Sequence, residues 1–109
     1  MIDITFTESD GKYTMRCHGH SGYAKKGADI VCAAATMLAY TYAQAVQNLF
    51  AGGMLKNAPD LDFADGAAMI QAEAHGEDAE RLRTTIYTVQ AGAMCLASNY
   101  PQYVTVHIR

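Results

Sequence analysis

Charge is scarce in this chain: Asp, Glu, Lys and Arg make up 17% of its residues, and none of them falls between Ile30 and Leu55. Half of the residues are apolar, so the chain must bury a core, and disorder is excluded. Of the two signs the basic one is scarcer, eight residues against eleven acids. The net charge of −3 has the wrong sign for a domain that gains affinity by neutralising phosphates, which argues against direct nucleic-acid binding. Three cysteines, at 17, 32 and 95, cannot all pair and show no C-x-x-C spacing. That excludes a disulfide framework and a zinc or redox motif, and points to reduced thiols in the cytoplasm. The start, MIDITFTESDGKY, lacks the basic residues and apolar run of a secretory signal. The uncharged stretch has the length of a membrane span, but Thr36, Thr41, Gln44, Gln47 and Asn48 interrupt it and alanine leads it, so it reads as a central buried helix. The 109 residues suffice for one core and are too few for two, giving a single domain over residues 1–109.

What is present orders itself along the chain. Ile2, Ile4 and Phe6 alternate with polar neighbours, Ser9-Asp10-Gly11 offers a turn, and Tyr13, Met15 and Cys17 alternate again, which predicts a hairpin. Ser21 to Ala28, with two glycines and two lysines, predicts an exposed, mobile loop. Asp29 then stands as N-cap to a helix from about Ile30 to Phe50, stopped by Gly52-Gly53. Leu61 and Phe63, a turn at Asp65-Gly66, and Ala68, Ile70, Ala72 and Ala74 predict a second hairpin. Leu82, Ile86, Val89, Ala93 and Leu96 recur at helical spacing between about Glu77 and Asn99, with Glu77, Asp78 and Glu80 in the first turn. Pro101 blocks continuation, and Val104, Val106 and Ile108 predict a final strand. The fold class is therefore α+β: a mostly antiparallel sheet with two helices on one face, in the order strand-strand-helix-strand-strand-helix-strand. Ala43, Ala45, Gly92 and Ala93 are small enough to let the helices approach closely.

Two residues invite chemistry. Cys32 falls in the first turn of the first helix, where free amides and the helix dipole favour thiolate over a free thiol of pKa about 8.5. His20 ends the second strand, twelve positions earlier, and a glycine-rich loop between them can bring imidazole and sulfur together. Each also has a plain reading, Cys32 as a buried small hydrophobe and His20 as a surface histidine, and His18 competes for the role of base. His18 and His20, with Cys32 or Asp29, form a rival metal set. His75 and His107 read as strand positions without a special role, Cys17 and Cys95 as core thiols, and Lys25 and Lys26 as a solvated loop.

The segment GHSGYAKKGADIVCAA, residues 19–34, resembles the signature of the ribosomal-processing cysteine protease family Prp. The resemblance extends through element order and length over essentially the whole chain. It implies a catalytic pair of His20 and Cys32, and it carries Gly19, Gly22, Gly27 and Asp29 into the active site together with Ser21. At the position one turn after the nucleophile, where many members have serine, this chain has Thr36, which keeps the hydroxyl. The family implies a homodimer whose partner is a peptide: it removes a short amino-terminal extension from ribosomal protein L twenty-seven of the large subunit. A cytoplasmic location and no cofactor are expected. Helix-start amides, that of Cys32 included, would stabilise the oxyanion. The rivals are a noncatalytic, ribosome-associated dimeric interaction module and a small metal-binding domain.

Overall fold

In a computed structural model that describes all 109 residues, the amino-terminal alternation becomes β1 (Ile2–Ser9) and β2 (Lys12–Gly19). Their hairpin turns at Asp10-Gly11, both residues having positive φ (53° and 80°). That is the type I′ geometry whose twist matches the flanking strands and which Asp-Gly tolerates. The first helix, α1 (Ile30–Ala51), starts at the predicted cap. The second hairpin is β3 (Asp60–Ala64) and β4 (Ala67–Glu73), followed by α2 (Glu77–Asn99) and β5 (Val104–Ile108). The expected element order is thus the observed one.

The five strands form one sheet in the order β3-β4-β2-β1-β5. Three of the four neighbouring pairs are antiparallel, while β1 and β5 run parallel, so the sheet is mixed. Hairpins force antiparallel pairing, but β5 reaches β1 only after the rest of the chain has been laid down, and no turn constrains its direction.

Register aligns the apolar positions. Phe6 lies opposite Met15 and Ile108, and Met15 lies opposite Ile70; Ile4 likewise faces Cys17 and Val106. These side chains share the face covered by both helices. From α1, Val31, Ala35, Ala39, Tyr42, Ala43 and Val46 are buried; from α2, Leu82, Ile86, Val89, Ala93 and Leu96. The helices touch where Gly92 meets Leu38: a Cβ on Gly92 would come within 2.7 Å of Leu38 Cδ2. Cys95 corrects the sequence reading. It is exposed, because the stripe buried on α2 passes through Ala93 and Leu96 and leaves position 95 facing outward. His75 also departs from expectation, lying past the end of β4, where its ring meets Glu73 Oε2 at 2.7 Å.

One buried polar contact ties α1 to the sheet: the Tyr42 hydroxyl donates to the Tyr13 carbonyl at 2.8 Å, and Tyr42 is fully buried. Tyr42→Phe should lower stability by about 1–2 kcal/mol, since it leaves a carbonyl unsatisfied at almost unchanged packing. Urea unfolding measures it through a shift of midpoint at constant slope.

Candidate active site

The amino-terminal half of α1 does not lie flat on the sheet but opens a cleft of about 900 Å³ against the ends of β2 and β4. Every glycine singled out from the motif lines it, as do His20, Asp29, Cys32 and Thr36. Thr36 follows Cys32 by one helical turn, and both face the cleft as the spacing predicts. Ser21 does not line the cleft; it is buried behind it.

Asp29 organises the helix start. Its Oδ1 accepts from the Val31 amide at 3.0 Å and the Cys32 amide at 2.8 Å, satisfying two of the donors a helix leaves unpaired. Its Oδ2 accepts from the Ser21 hydroxyl and, at 3.3 Å, from the Ala24 amide. Partial burial alone would raise the pKa of this carboxyl, but the Ser21 hydroxyl, the Cys32 and Ala24 amides and the Cys32 side chain outweigh it and bring the value down to about 2. One carboxylate therefore caps α1 and fastens the loop to it. His20 is not among its partners.

The Cys32 sulfur accepts from the Ser21 amide at 3.4 Å and lies 3.6 Å from the Ser21 hydroxyl oxygen, to which its S–H donates. The chain of donors thus runs from thiol to Ser21 to Asp29. Ser21 corrects the expectation of a uniformly exposed loop: it is 4% exposed, while residues 22–28 are exposed. A serine beside glycines gives no hint in the sequence that its hydroxyl will be claimed by a residue eight positions on.

His20 sits across the cleft. Its ring packs on Gly66 in the β3–β4 turn, where an added Cβ would meet Nε2 at 2.7 Å. Its imidazole is not among the hydrogen-bond partners of the thiol. Its backbone is held on both sides, because the Met1 ammonium donates to the His20 carbonyl and the Gly19 amide donates to the Gly66 carbonyl at 2.8 Å. Gly19 has φ 101°, and a Cβ there would collide with the Met1 carbonyl oxygen at 2.3 Å, so no other residue fits before the histidine.

Two expectations are corrected. The Cys32 amide is engaged by Asp29 and is not a free oxyanion donor. The metal set of His18, His20 and Cys32 does not assemble, since no three His, Cys, Asp or Glu side chains come together to hold an ion. Strand alternation puts Cys17 on the helix side and His18 on the other face. Burial also separates the thiols: it pushes the Cys17 pKa up to about 11, so that sulfur stays protonated on the cleft floor. The turn residues Asp65 and Gly66 and the tilted ring pair Tyr40–Phe63, centroids 5.3 Å apart, complete the wall. Tyr40 is two helical turns beyond Cys32 on α1, whereas Phe63, Asp65 and Gly66 come from the second hairpin, distant in sequence from the motif and beyond the reach of local pattern.

With this geometry in view, the family described as Cysteine protease Prp matches residues 1–105. The chain belongs to the Prp cysteine protease family. It is thereby a cysteine protease of a ribosomal-processing family, which displaces the noncatalytic and metal-binding rivals. Among solved structures it is similar to the ribosomal processing protease Prp of S. aureus in complex with a covalently linked product peptide, at TM-score 0.75 and 20% identity, covering 100% of both chains. It is also similar to SMU.848 of Streptococcus mutans, at TM-score 0.69 and 27% identity, covering 99% of this chain and 93% of that one. The S. aureus protease with a substrate peptide has the same fold, at TM-score 0.69 and 19% identity over 100% of both chains. By sequence alone, no curated protein matches. No helix is long and apolar enough to cross a membrane.

Asp29 should leave a mark on stability. Its folded-state pKa, about 2, lies below the ordinary 3.8, so its contribution is present above pH 3.8 and disappears as pH falls toward 2. Asp29→Asn should therefore lower the urea midpoint at pH 7, and the gap between variant and wild type should close between about pH 4 and pH 2. A gap independent of pH would remove the carboxylate from this role.

Proposed function

We propose that this protein cuts a short amino-terminal extension from ribosomal protein L twenty-seven of the large subunit, with Cys32 as nucleophile and His20 as base. The observation that carries the reading is the cleft itself, which presents an accessible sulfur at the start of α1 and an imidazole at the end of β2 to the same space. The S. aureus protease of the same fold is found in complex with product and substrate peptides, which supports a peptide as the occupant of that space.

In this mechanism the His20 ring turns from Gly66 toward the sulfur as peptide enters, and takes the thiol proton. Sγ bonds to the scissile carbonyl carbon, and the electron pair of the C=O moves to oxygen. Collapse of that intermediate breaks the C–N bond while His20 hands its proton to the leaving amine. Water, deprotonated by His20, then cleaves the thioester and releases the new carboxyl end and the free thiol. With the Cys32 amide committed to Asp29, the amide of Gly22, a cleft-lining residue whose N–H has no backbone partner, serves the oxyanion, a donor worth roughly 3 kcal/mol in other hydrolases. Ser21 holds the resting thiol, Asp29 the loop, and Thr36 offers a second hydroxyl along the cleft. No cofactor or metal takes part.

A cytoplasmic homodimer completes the reading. It is supported by apolar side chains left in solvent on the helices, Met37 on α1 and Met94 on α2, each more than half exposed. Incubating the protein with the extended precursor from the same genome and following the precursor's mass tests the function. Loss of the extension at one bond is the expected result, and an intact precursor would overturn the reading.

A further inference from the structure

The cleft does not end at the thiol. It continues past Tyr40 to Phe63, which lies on the outermost strand of the sheet, and there the sheet has a free edge. All five residues of β3 are exposed. The two-residue turn at Asp65-Gly66 places Ala64 opposite Ala67, a hydrogen-bonded position, and antiparallel bonding alternates from there. Asp60, Asp62 and Ala64 therefore direct their amides and carbonyls to β4, while Leu61 and Phe63 direct theirs outward. No loop or turn supplies them with a partner.

Side chains along this edge alternate as sharply as its backbone. Phe63 points to the helix side and meets Tyr40, with Leu61 on the same face. Asp60 and Asp62 point to the other face, and neither is ion-paired. Edge strands invite another strand unless something blunts them. A second copy of this edge would set these carboxylates near their own kind, which disfavours it. An extended segment with basic residues meets no such obstacle.

We propose that the peptide substrate, emerging from the cleft past Tyr40 and Phe63, pairs as a sixth strand with the free edge of β3. Its backbone bonds to Leu61 and Phe63, its apolar side chains pack on Phe63 and Tyr40, and its basic side chains lie beside Asp60 and Asp62. This inference rests on the peptidase reading of the cleft and adds the class of sequence that the enzyme takes: extended, with apolar and basic residues alternating beyond the cut.

The test uses the full-length Cys32→Ala protein and a fluorescent peptide copied from the precursor's cleavage junction, with single N-methyl groups placed at successive residues on each side of the cut. Binding weakened at every second residue, roughly fivefold for each lost bond, is the expected pattern on the side that pairs. Phe63→Pro should weaken binding by a similar factor without loss of far-ultraviolet circular dichroism, because it removes an amide that β4 does not use. Asp60→Lys with Asp62→Lys should weaken binding several-fold, and less so at high salt. A peptide that fails to bind, an N-methyl series without period two, or indifference to both variants would overturn the pairing. The two readings fail separately: cleavage by the wild type with a featureless N-methyl series removes the sixth strand alone. A period-two series with no cleavage removes the nucleophile assignment and keeps the edge.

Discussion

Alanine at position 32 should bring cleavage of the extended ribosomal precursor down to background, a fall in kcat on the order of 10⁴-fold or more. The size of the effect follows from the absence of a substitute. Cys17 also lines the cleft, but burial holds its pKa at about 11, which leaves almost no thiolate at neutral pH. Cys95 lies exposed on α2, outside the cleft lining. Truncating a half-buried thiol removes little packing, so the variant should unfold at nearly the wild-type temperature, which separates loss of chemistry from loss of fold. Alkylation gives the companion result: loss of activity should follow modification of Cys32 and not that of Cys95, as read by peptide mass mapping. A Cys32→Ala protein that cuts the precursor at the wild-type rate would sink the nucleophile assignment.

Periodicity made most of this fold legible, and for a physical reason. Strands buried on one face must alternate and helices with one buried stripe must repeat near 3.6, so Ile2-Ile4-Phe6 and Leu82-Ile86-Val89 announce their elements without reference to the rest of the chain. Asp29 was equally readable, because an N-cap makes its contacts within three residues. What the sequence withheld lies at longer range. The direction of β5 is set by a partner a hundred residues away, and the burial of Ser21 by a hydroxyl-to-carboxylate bond that any serine could have made. The exposure of Cys95 is not legible because a helix with many small residues admits more than one apolar stripe, and which one turns inward depends on the facing helix, here through Leu38 and Gly92. The same limit applies to the cleft. His20 and Cys32 are accessible to the motif, whereas the hairpin wall facing α1, Phe63, Asp65 and Gly66, is a product of topology.

That wall carries the second large effect. His20→Gln should lower kcat by roughly 10³-fold, the range over which a positioned acid and base accelerates proton transfer. Gly66→Ala should reproduce part of that loss without touching the imidazole. A methyl at position 66 falls 2.7 Å from His20 Nε2, and the φ of 74° already disfavours a side chain there, so the ring must swing away or the turn must deform. The turn is not free to deform, because the Gly66 carbonyl accepts from the Gly19 amide immediately before the histidine. Displacing a catalytic group by about 1 Å costs up to about 10²-fold in rate, and a fall of 10- to 100-fold in kcat with little change in KM is the expected signature of a positioning residue. The pH profile distinguishes the two variants. Gly66→Ala should keep the shape of the wild-type rate profile at reduced height, whereas His20→Gln should change that shape. Equal profiles in wild type and His20→Gln would remove His20 from proton transfer, and a Gly66→Ala enzyme at full rate would mean that the ring reaches the sulfur from some other resting place.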